Sequence, residues 1–118
     1  LAFLHSDIGK RMQKAKQKGT LLSEQPFVLG VEARNIYKES ESKELILVQG
    51  IIDVYFEEAG ELVVLDYQTD RVHCAEELLQ RYHAQLEYYA EALERLTGKR
   101  VKEKKIYSFA LLEEIEVL

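Results

Sequence analysis

The chain has 118 residues, a length that suits one domain with one hydrophobic core. Hydrophobic residues make up 47% and charged residues 31% of it, and its apolar runs are too short to cross a membrane. The single cysteine, Cys74, excludes an intramolecular disulfide and a metal site built from several cysteines. The net charge of −5 argues against nucleic-acid binding, although basic residues cluster at Lys10, Arg11, Lys14, Lys16 and Lys18 and at Lys99, Arg100, Lys102, Lys104 and Lys105. Without a motif, these clusters read as solvated faces.

Hydrophobic periodicity predicts an amphipathic helix over residues 1–17, ended by Gly19. We find no capping signal at its start, so we expect the helix to begin earlier in a longer chain. Alternation of apolar and other residues then predicts a strand from Phe27, with Pro26 at its start. The polar residues 35–44 predict a hairpin loop.

A second strand is predicted over residues 45–56, and its two largely apolar faces indicate a central position covered on both sides. A turn at residues 57–61 leads to a third strand over residues 62–68. A long helix follows over residues 74–97 and ends at Gly98, with a buried stripe of Leu78, Leu79, Tyr82, Leu86, Tyr89, Ala90, Leu93 and Leu96. Strands over residues 106–111 and 113–118 complete the chain, the last at an edge. The sequence thus predicts an α/β fold, in which an antiparallel meander is joined by a parallel strand after a right-handed crossover helix.

Two carboxylates stand out in the central hairpin. Asp53 and Asp66 each lie in a Val/Ile/Leu-rich strand, where a buried carboxylate is costly unless it is paired or bound to metal. On neighbouring strands they can hold Mg²⁺, with the backbone carbonyl of Tyr67 as a further oxygen ligand. Such a metal activates water and neutralises charge that builds on a phosphodiester. The alternative is structural, with Asp53 starting a turn and Asp66 ending a strand.

Three motifs in order carry a family resemblance: Gly50-Ile51-Ile52-Asp53, Asp66-Tyr67-Gln68-Thr69-Asp70-Arg71 and Gln85-Leu86-Glu87-Tyr88-Tyr89-Ala90. Together they resemble the RecB-type nuclease module of the PD-(D/E)XK superfamily, and within it the C-terminal nuclease domains of the AddA proteins of bacterial AddAB helicase–nucleases. The resemblance covers most of the chain, including Ser23-Glu24-Gln25-Pro26-Phe27. It implies a restriction-endonuclease-like mixed sheet flanked by helices. Residues 1–118 would be a single nuclease domain, a fragment of a larger helicase–nuclease subunit.

The resemblance also implies roles for individual residues. Asp53 and Asp66 are the expected metal ligands, and Gln85 and Tyr89 match a Gln-x-x-x-Tyr motif that supports the active site and the DNA. The alternative for the last two is a helix face that packs on the sheet, although Gln85 interrupts an otherwise apolar stripe. Glu24 is either a further acidic member of the site or a surface residue at the start of a strand.

The chain departs from the family pattern at two places. Gln68 stands where the family has a lysine that orients the attacking water and stabilises developing negative charge. The metal-binding histidine of the family is also unmatched: His5 has an unsuitable context, so we expect that histidine before residue 1, and His73 and His83 read as helix-surface residues. No Gly-x-x-x-x-Gly-Lys-Ser/Thr phosphate loop occurs, so ATP binding belongs to the missing helicase part.

The expected function is therefore a Mg²⁺-dependent DNA exonuclease domain, with Mn²⁺ as a possible substitute, catalytic residues Asp53, Asp66 and Gln68, and a role in double-strand-break repair and recombination. The expected partners are DNA and an AddB-type subunit in the bacterial cytoplasm, with no membrane. The alternative is a catalytically weakened module that binds DNA or scaffolds a partner subunit, motivated by Gln68 and the missing histidine.

Overall fold

A computed structural model describes residues 2–33 and 44–118. Its helices are α1 (Ala2–His5), α2 (Asp7–Lys18) and α3 (Ala75–Thr97), and its strands are β1 (Leu21–Glu32), β2 (Leu45–Glu58), β3 (Glu61–Gln68), β4 (Val101–Ser108) and β5 (Glu113–Glu116). The loop predicted over residues 35–44 lies outside the described residues except for its last position. Within the two described ranges, no helix has the length and apolar character needed to cross a membrane.

The five strands form one mixed sheet in the order β1-β2-β3-β4-β5. Strands β1, β2 and β3 pair antiparallel, β4 pairs parallel to β3 after α3, and β5 pairs antiparallel to β4 at the edge. One buried cluster lies between the sheet and α3, and a second lies between the opposite face and α2. The predicted meander, parallel strand and flanking helices are confirmed, and the architecture is compatible with a restriction-endonuclease-like fold.

The N-terminal helix differs from its prediction, because it is broken at Ser6. The Ser6 Oγ accepts a hydrogen bond from the Gly9 N–H at 3.1 Å and caps α2. The capping signal was thus inside the predicted helix. Ile8 and Ala15 of the predicted apolar stripe are buried against the sheet, whereas Leu4 in α1 is exposed. Gly19 ends α2 with a left-handed conformation, as predicted.

Strand β1 begins six residues before the predicted start at Phe27, at Leu21. Pro26 is therefore inside the strand rather than at its beginning, opposite Ile51. This is compatible with the missing N–H because β1 is an edge strand, where one row of backbone groups needs no partner strand.

Side-chain alternation along β2 breaks at Asp53. Ile52 and Tyr55 both belong to the cluster under α3, although a strict period of two would place them on opposite faces. Ile51, which we predicted to share a face with Asp53 and Tyr55, is 58% exposed. The expectation of a strand covered on both sides therefore holds only from Ile52 onward, since Leu45 and Leu47 are also exposed.

Two further boundaries needed correction. In α3, the buried stripe includes Leu78, Leu86, Tyr89 and Leu93, but Leu96 is 61% exposed in the last turn. Strand β4 occupies Val101–Ser108 rather than residues 106–111, so residues 109–111 lie in the turn that follows it. Charged residues at the start of β4 hid the strand from a search for apolar runs.

Candidate metal centre

The β2–β3 hairpin brings Asp53 and Asp66 together. Its two-residue turn at Ala59 and Gly60, both with positive φ, sets a register that ends with the pair Val54↔Leu65. The next residue on each strand is Asp53 and Asp66, at the end of the ladder. The two carboxylates therefore meet because the turn fixes the register of the two strands.

Asp66 is almost fully buried, with 2% of its surface exposed. Its Oδ2 accepts hydrogen bonds from Gln68 Nε2 at 2.6 Å and from Gln85 Nε2 at 3.0 Å. The Asp53 Oδ2 accepts the Tyr67 backbone N–H at 2.9 Å. The two carboxylates are thus oriented by an amide on the same strand, an amide on α3 and one backbone group.

The electrostatics of the pair disfavour two negative charges. Burial raises the pKa of Asp66 to about 7, and the neighbouring Asp53 carboxyl contributes to this rise. The hydrogen bonds from Gln68 and Gln85 oppose it because they stabilise the charged form. A divalent cation between the two groups would relieve the same repulsion, so the donor set suits a hard cation that prefers carboxylate oxygens.

The site has few ligands for a full metal cage. Among the described residues, no group of three or more His, Cys, Asp or Glu side chains is placed to hold a metal ion. A pair of carboxylates still fits Mg²⁺, which often binds one or two carboxylates and completes its shell with water and substrate phosphate oxygens. Asp53 and Asp66 would hold such an ion. The role of the Tyr67 carbonyl stays a prediction.

Helix α3 covers the site with Gln85 and Tyr89. Gln85 reaches Asp66 directly, so its interruption of the apolar stripe has a polar partner. Tyr89 is 7% exposed and packs edge-on against Phe27, with ring centroids 5.4 Å apart. Burial, together with the charges of Asp66 and Asp53, raises its pKa to about 12. Tyr89 is thus both a core residue and a neighbour of the carboxylate pair.

The remaining candidate residues are not gathered at the pair. Glu24 is exposed, with a φ of 53°, in β1 between the pairs Ser23↔Val54 and Gln25↔Ile52. It lies opposite Asp53 in register but forms no three-carboxylate group with the pair, so its role stays a prediction. The three histidines are exposed at His5, His73 and His83.

The basic clusters are not at the site either. Every member of the second cluster pairs with a glutamate, as in Lys99–Glu57, Arg100–Glu61, Lys102–Glu58, Lys104–Glu87 and Lys105–Glu114. Most of the first cluster is exposed on α2, which packs on the sheet face opposite α3. The interpretation of these residues as solvated faces agrees with this placement.

Sequence reasoning missed one polar contact beside the site. Asp70, which we considered only as part of a motif, accepts the Tyr82 hydroxyl and also pairs with Arg81. We had placed Tyr82 in the apolar stripe. The available signal was its hydroxyl, because a tyrosine at a helix–sheet interface usually finds a hydrogen-bond partner.

Comparison with known proteins gives relatives for nearly the whole chain. It is 44% identical over 121 residues to AddA, the ATP-dependent helicase/nuclease of Clostridium botulinum (strain Loch Maree / Type A3), in an alignment that covers 99% of the chain and 9% of the relative. It is 39% identical over 150 residues to the protein of the same name from Lachnoclostridium phytofermentans, covering 98% of the chain and 11% of that relative. No protein-family model matches the chain.

The chain spans only about a tenth of the length of these curated relatives. The aligned portion includes the hairpin with the carboxylate pair and the helix that covers it, since almost all of the chain is aligned. Over that portion, the chain is homologous to a segment of the ATP-dependent helicase/nuclease proteins named AddA.

Proposed function

We propose that the chain is a metal-dependent DNA nuclease domain that hydrolyses phosphodiester bonds. The observation that carries the proposal is the buried carboxylate pair at the end of β2 and β3, where Asp66 also accepts the amide of Gln85. Relatives named helicase/nuclease support the class of activity. Mg²⁺ is the proposed cofactor, and Mn²⁺ a substitute.

A bound Mg²⁺ would supply Lewis acidity toward the phosphodiester and lower the pKa of a bound water. The protein's own part is to orient the ligands. The Tyr67 N–H holds Asp53, and two amides hold Asp66 in its ionised form. Gln68 occupies the position of the expected lysine and donates a hydrogen bond, but it brings no positive charge toward a phosphate.

We further infer the biological setting from the resemblance and the relatives. The domain would act as an exonuclease in double-strand-break repair and recombination, within a longer protein that binds ATP elsewhere. The proposed partners are DNA and a protein of the AddB type, and the proposed location is the bacterial cytoplasm.

The test measures Mg²⁺- or Mn²⁺-dependent degradation of single-stranded DNA by the chain. We expect Asp66→Ala to abolish cleavage. Gln68→Lys should raise the rate on the order of a hundredfold, because it places an ammonium group beside the reacting phosphate. Gln68→Met, which has similar length and no amide, is the matched control. A folded Gln68→Lys variant with no metal-dependent cleavage would contradict the proposal.

A weakened module is the second candidate, and Gln68 is the observation that favours it. Such a module would bind DNA with an affinity that falls as salt rises, and Asp53→Ala would leave that affinity unchanged. Tight calorimetric binding of Mg²⁺ that requires both Asp53 and Asp66 would count against this alternative.

A further inference from the structure

A second contact ties the end of β3 to α3, four residues beyond Asp66. Asp70 lies in the connection between the two elements, and its Oδ1 and Oδ2 lie 3.0 and 2.9 Å from the Tyr82 hydroxyl oxygen. Arg81 Nη1 donates to the same carboxylate at 2.9 Å. These bonds hold the pKa of Asp70 below its ordinary value, with Tyr82 as the largest cause.

The two contacts are aligned along the helix. Tyr82 and Gln85 are three residues apart, so they lie on one face of α3 in successive turns. Tyr82 binds Asp70, and Gln85 binds Asp66 at 3.0 Å. The same two elements are therefore joined at two adjacent points, of which only the second touches the carboxylate pair.

Apolar packing alone leaves the helix less well oriented. Leu78, Leu86 and Leu93 bury α3 against the sheet, but this attraction has no preferred direction. A shift of α3 along or around its axis would keep much of that burial and still move the Gln85 amide away from Asp66. A directional bond one turn away prevents such a shift.

We propose that Asp70 and Tyr82 form a positioning clamp, which holds α3 so that the Gln85 amide reaches Asp66. Tyr82 is the important helix partner, because it is half-buried and packs against the core cluster. Arg81 is 49% exposed, and solvent screens its ion pair with Asp70. The consequence for metal binding depends on the proposed function, whereas the clamp itself does not.

The first experiment follows the side-chain amide of Gln85 by NMR in the metal-free chain. Tyr82→Phe removes one oxygen and keeps the ring, so the fold is retained. We expect the Gln85 amide resonances to lose their hydrogen-bonded shift in Tyr82→Phe. Tyr88→Phe removes a hydroxyl from the same helix and should leave those resonances unchanged.

The conservative variant separates positioning from a general loss of structure. Asp70→Asn keeps an oxygen that can accept the Tyr82 hydroxyl, so it should restore most of the Gln85 signal that Asp70→Ala loses. Gln85 resonances that are the same in the parent, Tyr82→Phe and Asp70→Ala would overturn the clamp.

The second experiment measures Mn²⁺ affinity by calorimetry. We expect Tyr82→Phe to weaken binding on the order of tenfold, because Asp66 loses the donor that favours its ionised form. If the parent chain binds no Mn²⁺, the proposed metal function fails, and the NMR result still decides the clamp. If the parent binds Mn²⁺ and Tyr82→Phe binds it equally well with an altered Gln85 signal, the clamp has no role at the site and the proposal is overturned.

Discussion

Asp66 is the residue at which structure and chemistry oppose each other. A carboxylate that is 2% exposed sits beside a second carboxylate, and only two side-chain amides offset the cost. Replacement of such a group by a neutral one is expected to stabilise a fold when no cation is present. Its retention inside the sheet is therefore better explained by ligand binding than by folding.

This conflict predicts an unusual pH dependence. The pKa of Asp66 is about 7 in the folded chain against an ordinary value of 3.8. A raised pKa stabilises the folded chain fully below pH 3.8, and that contribution is lost as the pH rises through 7. We expect Asp66 to lower the free energy of unfolding of the metal-free chain by up to about 4 kcal/mol between pH 4 and pH 8.

Urea unfolding at several pH values checks this expectation. Asp66→Asn should remove the decline, and its advantage over the parent should grow from pH 5 to pH 8. Asp7→Asn on the exposed side of α2 serves as the control. Parent and Asp66→Asn curves that run parallel over this range would show that the Asp66 charge is not destabilising.

The sequence predicted the carboxylate pair but not its surroundings. Asp53 and Asp66 were visible because charged residues interrupt apolar strands, and Gln85 because it interrupts an apolar helix face. The link between Asp70 and Tyr82 was not visible, because it joins a loop to a helix eleven or more residues away and follows no period. Periodic patterns identify faces, whereas specific partners depend on the tertiary arrangement.

At the scale of elements, prediction worked where burial follows a period. Helix α3 and strand β3 were placed to within one residue because their apolar positions repeat regularly. Strand β4 was shortened because its first half contains Lys102, Glu103 and Lys104, whose charges are paired across the sheet or with α3. Ion pairs of this kind let a charged segment form a strand inside a sheet without an apolar pattern.

The energetic weight of α3 can be tested along its own length. Leu86 is fully buried in the middle of the helix, and Leu96 is 61% exposed in its last turn. We expect Leu86→Ala to lower the free energy of unfolding by about 2–5 kcal/mol, since it leaves a cavity between helix and sheet. Leu96→Ala should change it by about 0.5 kcal/mol or less.

Chemical denaturation of the two variants provides the measurement. Both remove the same atoms from the same helix, so helix propensity contributes equally to each. Equal losses would mean that α3 is held by its end rather than by the apolar stripe, contrary to the packing described for the core.

Helix α2 is attached to the sheet by charge as well as by apolar packing. Arg11 donates to Glu58 from two nitrogens, at 3.0 and 2.7 Å, and also pairs with Glu103. The hydrogen bond from Arg11 is the main cause that lowers the pKa of Glu58 to about 2. A lowered pKa stabilises the fold above pH 4.5, and this contribution is lost as the pH falls toward 2.

We therefore expect Arg11→Met to destabilise the chain by about 1–2 kcal/mol at pH 7, after allowance for solvent screening of the partly exposed Glu58. The difference from the parent should shrink as the pH is lowered toward 2. Thermal unfolding at several pH values tests this, with the exposed Lys10→Met as control. A loss that does not depend on pH would point to lost packing of the arginine stem instead.

For the whole molecule, the sheet separates two tasks. Its α2 face is closed by apolar packing and the Arg11 ion pairs, and its α3 face carries the carboxylate pair with its amide donors. The site therefore lies at the end of two central strands whose positions are fixed from both sides. This rigidity suits a metal ion that tolerates little variation in geometry.

Binding of Mg²⁺ should therefore stabilise the whole fold. A ligand that binds only the folded chain adds about 2.7 kcal/mol when its concentration is about 100 times its dissociation constant. For a domain of this size we expect Tm to rise by about 10 °C. The rise should be larger at pH 8 than at pH 6, because the proton held by Asp66 competes with the cation.

Differential scanning calorimetry with and without MgCl₂ is the measurement, with NaCl added to equal ionic strength in the reference. Asp66→Asn should be more stable than the parent without metal and should show no rise with it. Glu57→Gln, at a surface ion pair with Lys99, should keep the full rise. A rise of equal size in the parent and in Asp66→Asn would place the cation elsewhere on the molecule, since the neutral variant retains the fold but not the paired charges.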